Sequence, residues 1–403
     1  MQLRIAIVSV MTGGLRTVLS PILMMNYVLG LRIIEFPVGQ PRPRLSFLYI
    51  LLLWSVYYSV LMHTVMPYII HYTLVYHICI RLNIIAILLS IVSEAYQNQK
   101  FRNCLKKLAM LDDTLEMLGI TTDYEFLRRR IIWIISGWWI TCIVTIYGDY
   151  FWFKDQYNID NSATVVYIIF MLHYGFDVTF IGDLTITSLL GYIGLKFDQI
   201  NEWLQQSLED NIQTRTIKRS TGQHSMLNLR QRKILKISRS KWIIWIVIHL
   251  HSELCKISQE VNMIFSAQMT LKMGNYFCCI ALGLHAIFNI LLIKNYVSRG
   301  RVFFIMVVFW SSLYLFKLLL INYMCERVSI KASATGDFVN KILDSTYDIE
   351  TRENISQLLL KIAGTPLRFR GYGFFEFGFK FLHGFVKSVA TVLIIIIQSH
   401  VNE

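Results

Sequence analysis

The sequence predicts an all-α membrane protein that crosses the bilayer seven times, with a cytoplasmic N-terminus and an extracellular C-terminus. Three observations predict it. Of 403 residues, 55% are hydrophobic and 16% are charged, less charge than a soluble domain of this length carries. Seven apolar stretches approach or exceed the roughly 20 residues that a helix needs to span the hydrocarbon. The Lys and Arg residues between those stretches alternate in density, 31 on one side and 4 on the other, which marks the cytoplasmic side by the positive-inside rule. The net charge of +13 is therefore an orientation signal and not a nucleic-acid footprint.

The elements follow in chain order. Residues 5–34 are interrupted by Gly13, Gly14, Arg16 and Pro21. The apolar core from Ile5 to Met11 is short for a signal peptide and no A-x-A-like site follows, so an interfacial helix is expected. The predicted spans are 45–66, 68–92, 131–153, 164–194, 262–293, 302–325 and 381–398. The stretch WIIWIVIHL at 242–250 is too short to cross and is expected to form a helix packed below the membrane.

Orientation argues against the obvious seven-helix reading, a receptor coupled to a G protein, whose N-terminus is outside; that receptor class stays as the alternative, with a secondary transporter behind it. No Glu/Asp-Arg-Tyr follows the third span and no Asn-Pro-x-x-Tyr lies in the seventh. A secondary transporter would favour Gly/Pro-broken helices and paired repeats; all six prolines lie outside the span centres and no repeat is visible.

Enzymatic and metal chemistry are thin. The sequence holds no HExxH, P-loop or G-x-S-x-G, so no enzyme class and no cofactor is expected. His249 and His251 are two apart, which points their side chains away from each other on a helix. None of the seven cysteines lies in a predicted outer loop, and no disulfide framework is implied.

Polar groups inside the spans say more. Arg81 and Asp177 each lie about 13 residues from the outer end of their span, roughly 20 Å deep. A charge there is costly unless paired or hydrated. Either the two form a structural ion pair, or one faces a water-filled ligand cavity. Asp183 and Lys317 lie deeper, where snorkelling is the simpler account. Aromatic residues gather at the outer ends of spans two to six: Tyr72, Tyr76, Tyr150, Trp152, Tyr167, Phe170, Tyr174, Phe288, Phe309 and Trp310. An interfacial belt and a pocket for a small organic molecule both account for them.

The last span reads FFEFGFKFLHGFVKSVATVLIIIIQSHVNE from residue 374. Only about 388–401 is free of charge, barely 20 Å of helix, so its first half is expected to be cytoplasmic. Thr391, Ile394, Ile395 and Gln398 share one face at helical spacing. Brought to an axis by several subunits, that face makes a narrow pore with an apolar wall and a polar ring. In isolation, the same spacing also suits a glutamine at the headgroup level.

Thr391, the aliphatic run that follows it and Gln398 resemble the Thr-Tyr-(five hydrophobics)-Gln-Phe signature of the insect gustatory receptor family. Val261-Asn262-Met263-Ile264-Phe265-Ser266 is similar to that family's I-N-x-x-F-S, Gly371-Tyr372-Gly373-Phe374-Phe375 to its A-x-G-x-F, and Leu29-Gly30-Leu31 to its L-G-L. Length and topology agree over the whole chain. Two positions depart: Val392 replaces Tyr, and Ser399 replaces the bulky Phe beside the glutamine, which shifts the expected constriction to Ile394 or Ile395. Leu393 stands where sugar receptors carry an acidic residue, which favours a bitter or orphan clade.

The resemblance implies a ligand-gated, non-selective cation channel for a small-molecule tastant. It implies a homo- or heterotetramer with related subunits, in the lipid bilayer of the chemosensory neuron's plasma membrane. It divides the chain into 1–195 (interfacial segment and ligand-binding bundle), 196–261 (cytoplasmic anchor helices), 262–325 (spans five and six), 326–385 (a second anchor segment) and 386–403 (the pore-lining part of the last helix).

Overall fold

The computed structural model of the chain describes residues 13–31, 43–69, 74–157, 161–220, 226–292, 300–345 and 349–401. Tyr72, residues 5–12 and 32–34 of the N-terminal stretch, and the side chains of Tyr76 and Ser399 lie outside what is described. The helices are α1 (Gly13–Val28), α2 (Pro43–Val60), α3 (Met66–Ile69), α4 (Leu74–Met117), α5 (Tyr124–Tyr157), α6 (Ser162–Ser220), α7 (Met226–Leu292), α8 (Gly300–Ser345), α9 (Ile349–Gly364) and α10 (Phe379–Val401). A π-turn, Leu61–Val65, joins α2 to α3, and a short antiparallel hairpin, β1 (Arg370–Gly371) and β2 (Phe375–Glu376), precedes α10. Six segments are long and apolar enough to cross a membrane: Arg44–Val65, Ile80–Met117, Tyr124–Lys154, Ser162–Gln206, Trp242–Leu291 and Phe303–Lys341. With α10 they make the seven helices that the sequence predicts.

The N-terminal stretch corrects one expectation. Gly13, Gly14, Arg16 and Pro21 do not interrupt it, because all four lie within α1. Pro21 has no N–H to offer the carbonyl four residues back, and the Ser20 hydroxyl donates to that Thr17 carbonyl at 3.2 Å instead. Leu15, Val18, Leu19 and Ile22 repeat at helical spacing and are buried against α5 and α6. Asn26 donates to Thr185 Oγ1 at 2.7 Å. The helix closes at Gly30, whose φ of 68 suits a residue without a Cβ, and Leu31 N–H reaches back to the Asn26 carbonyl at 2.9 Å.

The stretches 196–220 and 226–261 continue the spanning helices. α6 has 59 residues and α7 has 67, roughly 90 and 100 Å, so each runs far beyond a bilayer of about 30 Å. The stretch 242–250 is likewise an internal part of α7. α6 is the central helix: 61% of its most apolar window is buried, against 22–33% for the other candidates. Polar contacts register the extensions. Lys196 pairs with Asp112 at 2.8 Å, Asn201 accepts from Thr335 at 2.7 Å, and His251 Nε2 bonds the Ala332 carbonyl at 3.1 Å. His249 stacks on Trp245 instead, so the two histidines have different neighbours.

Segment 326–385 is not helical throughout, because the hairpin interrupts it. Tyr372 (φ 49) and Gly373 (φ 81) both take positive φ, the requirement of a tight hairpin turn with right-handed twist. Asn262 Oδ1 accepts from Arg370 N–H at 3.0 Å, and Asn322 Oδ1 accepts from Gly378 N–H at 3.0 Å. These amides tie the hairpin to α7 and α8 and so aim α10. Phe385 and Val389 are buried and Phe381 and Leu393 pack beside them, a stripe with four-residue spacing.

Candidate functional site

Between the π-turn and helices α2, α4, α5, α6, α7 and α8 lies a cavity of about 220 Å³. Its lining comes from the C-terminal parts of α5 and α7 and the N-terminal parts of α4, α6 and α8. Aliphatic side chains form part of its wall: Leu61 from the π-turn, Ile80, Ile84 and Ile87 from α4, and Leu172 and Leu282 from α6 and α7. Aromatic rings form the rest. Trp152 stacks on Phe303 at 5.9 Å, and Phe176 meets Trp310 edge-on at 4.7 Å and Tyr314 at 5.5 Å. Edge-to-face rings fix one another's angles, so the wall is largely set before anything binds.

Polar groups are few, and several of them are hydrogen-bonded. Asp149 on α5 takes two contacts: His173 Nε2 from α6 at 2.6 Å on Oδ2, and Trp310 Nε1–H from α8 at 3.2 Å on Oδ1. His173 is 2% exposed and lines the cavity, and its Nδ1 has no hydrogen-bond partner among the described residues. Asn83 on α4 donates to the Tyr314 hydroxyl at 3.1 Å and accepts from Asn275 at 2.9 Å. Tyr57 donates to the Met171 carbonyl at 3.0 Å, which turns its ring edge toward α6.

Beyond Phe176 lies a buried ionic cluster. Lys272 meets Asp183 Oδ1 at 2.6 Å, Lys317 stands 3.6 Å from Asp183 Oδ2, and the Tyr276 hydroxyl donates to the same carboxylate. Lys317 also donates to Thr179 Oγ1 at 3.0 Å. Snorkelling therefore does not describe Asp183 and Lys317, which are 0% and 1% exposed. One carboxylate faces two ammoniums, which leaves one positive charge in excess, and the Thr179 hydroxyl and the Phe176 ring take up part of the Lys317 charge.

The proposed Arg81–Asp177 pair does not form. Arg81 is exposed on α4, while Asp177 is directed to α5, where the Cys142 thiol donates to its Oδ1 at 3.2 Å. Equal depth placed them at one level but on different sides of their helices. Of the aromatic candidates, Trp152 and Trp310 line the cavity. Tyr150 bonds Ser162 at 3.3 Å, Tyr167 lies 3.3 Å from the Thr64 hydroxyl, Phe170 is exposed, and Tyr174 packs on Trp54 and Tyr57. Phe288 and Phe309 are half-buried outside the lining. The sequence reading missed Asp149 and His173. The signal was available: both are ionisable residues within apolar windows, the same reason that singled out Arg81.

On α10, Thr391, Ile394, Ile395 and Gln398 are exposed in the single subunit, and Thr391 Oγ1 donates to the Lys387 carbonyl at 2.9 Å. At about 100° per residue they lie within roughly 60° of the direction opposite Val389, whose side packs on the subunit.

The profile of the 7tm chemosensory receptor family matches residues 19–403. The chain belongs to this family. Among curated relatives of this receptor, gustatory receptor 28a of Drosophila melanogaster is 23% identical over 333 residues, covering 75% of this chain and 71% of the relative. Gustatory receptor 28b of the same fly is 20% identical over 320 residues, 76% of this chain and 65% of the relative. Among solved structures, the insect olfactory receptor OR5 from Machilis hrabei superposes with a TM-score of 0.66 at 10% identity, over 96% of this chain and 98% of that one. Its complex with eugenol gives 0.61 at 12% identity, with the same coverage. The chemosensory receptor thus shares the olfactory receptor's fold across nearly its whole length.

Proposed function

We propose that this chemosensory receptor is a subunit of a ligand-gated, non-selective cation channel, oriented with its N-terminus in the cytoplasm. A small organic tastant occupies the cavity around Trp152, Phe176 and Trp310. Four such subunits, identical or related, bring α10 to a common axis. Thr391, Ile394, Ile395, Gln398 and Ser399 then line the pore. The working site is the plasma membrane of a chemosensory neuron, and Leu393 favours a bitter tastant over a sugar.

The observation that carries this reading is the division of α10 into two faces. One is packed on its own subunit through Phe385 and Val389, and the opposite one carries exposed isoleucines and an amide. The ligand part is supported by the aromatic cavity and by the structural neighbour that was solved with eugenol. A hydrophobic ring closes a pore by excluding water, and polarity there opens it.

The test uses purified full-length protein in planar bilayers. Ile394→Ser or Ile395→Ser should raise ligand-independent current, and Gln398→Cys should become blockable by a membrane-impermeant thiol reagent. An unreactive cysteine in both resting and activated protein, with Gln398→Glu leaving ion selectivity unchanged, would remove α10 from the conduction path. No current at all would return the molecule to the receptor class that signals through a partner.

A further inference from the structure

We infer that His173 Nδ1 is the polar anchor of the cavity, and that it selects a small single-ring ligand bearing a hydrogen-bond acceptor oxygen, such as a carbonyl. The inference rests on the cavity being the ligand site and deepens that reading.

The argument starts from the Asp149–His173 contact. Trp310 Nε1 is a donor only, so the Asp149 oxygen it meets must accept. The other oxygen shares one proton with His173 Nε2 across 2.6 Å. Both partners are buried, at 6% and 2% exposure. A net charge on the pair would have to be held away from water, which is costly. An electrically neutral pair has two forms, carboxylate with imidazolium or carboxylic acid with imidazole. Both leave a proton on Nδ1. The atom without a partner is therefore an N–H donor, buried and lining a cavity.

A buried donor left unmade carries its full desolvation cost, and a ligand acceptor removes that cost. Most of the remaining wall is apolar, and Tyr57, Asn83 and Tyr314 already take part in hydrogen bonds, so an acceptor placed at Nδ1 is rewarded. Size sets the remainder: about 220 Å³ is below the roughly 300–1,000 Å³ typical of pockets for drug-sized ligands, which points to one ring with short substituents.

The test compares two molecules of one shape. Acetophenone and α-methylstyrene differ only in C=O against C=CH₂. Binding is read as ligand-induced thermal stabilisation of the purified full-length protein in lipid nanodiscs, which needs no gating. Acetophenone should bind the wild-type about tenfold more tightly than α-methylstyrene. His173→Phe should bring the two within about twofold of each other. Asp149→Asn should keep the preference: Trp310 holds the amide oxygen, the amide N–H meets Nε2, and Nδ1 keeps its proton. Equal wild-type binding of the two probes overturns the Nδ1 assignment while leaving the cavity as the ligand site, and this comparison needs no variant to fold. A preference that survives His173→Phe overturns it as well. Binding of neither probe to the wild-type sinks the ligand-site reading itself.

Discussion

The ammonium of Lys317 sits 4.1 Å from the ring centroid of Phe176, and so joins the aromatic wall of the cavity to the ionic cluster around Asp183. A cation over a ring face is attracted by the ring quadrupole, more strongly when desolvated. Phe176 thus has the cavity on one side and a buried charge on the other. Lys317 and Phe176 belong to α8 and α6, the central helix, so this ring joins the cavity wall to a contact between two long helices.

Asp183 holds that cluster together. Asp183→Asn leaves two buried ammoniums without their counter-ion and should destabilise the fold by about 3–5 kcal/mol. Lys317→Met should cost less, because Lys272 still pairs with Asp183 at 2.6 Å. The double variant should recover part of the Asp183→Asn loss. Thermal unfolding in nanodiscs checks the order; a Lys317→Met loss as large as that of Asp183→Asn contradicts the cluster as described.

Gly283 lets α7 approach α8. A Cβ there would stand 2.1 Å from Ser311 Oγ, and both residues line the cavity. Gly283→Ala should displace Ser311, and Gly283→Val should also fill the cavity. The valine variant should raise the half-maximal ligand concentration about tenfold or more, with a smaller change in unfolding temperature. Dose–response curves beside thermal unfolding separate the two effects.

Arg81 and Asp177 should act independently. Arg81 is exposed and Asp177 is bonded to Cys142. In an Arg81→Ala and Asp177→Asn cycle, the losses of surface expression or stability should add to within about 0.5 kcal/mol. A large coupling energy would restore the ion pair between them.

Glu376 braces the hairpin that aims α10. It is bonded to Arg368 and Arg370, and these contacts, Arg368 first, hold its carboxyl below the ordinary value. A carboxyl depressed in the folded state stabilises above its unfolded pKa, and that contribution is lost as pH falls through the folded value. All three side chains are partly exposed, so the effect is about 1 kcal/mol or less. Wild-type and Glu376→Gln should differ in unfolding temperature near neutral pH and converge below about pH 4. A difference that stays constant across that window excludes the clamp.

The sequence by itself determined the membrane class, the helical fold and the positions of the spans, because hydrophobic length is a local property that a bilayer reads directly. The turns were not legible in it: Leu29-Gly30-Leu31 and Gly371-Tyr372-Gly373 stood out only as family-like motifs, and the structure made the first a helix C-cap and the second a hairpin turn with positive φ at Tyr372 and Gly373. It marked Trp152 and Trp310, and it placed Thr391, Ile394, Ile395 and Gln398 on one face. Tertiary structure alone decided partners. Depth along a helix is readable from residue number, but azimuth against a neighbouring helix is not, so Arg81 and Asp177 matched in depth and still missed each other. The same limit hid the Asp149–His173–Trp310 contact, whose members come from α5, α6 and α8 and meet only when three helices pack. Helix continuity was also decided in three dimensions. Charged residues end an apolar window but do not end a helix whose polar groups find partners, as Lys196 does with Asp112.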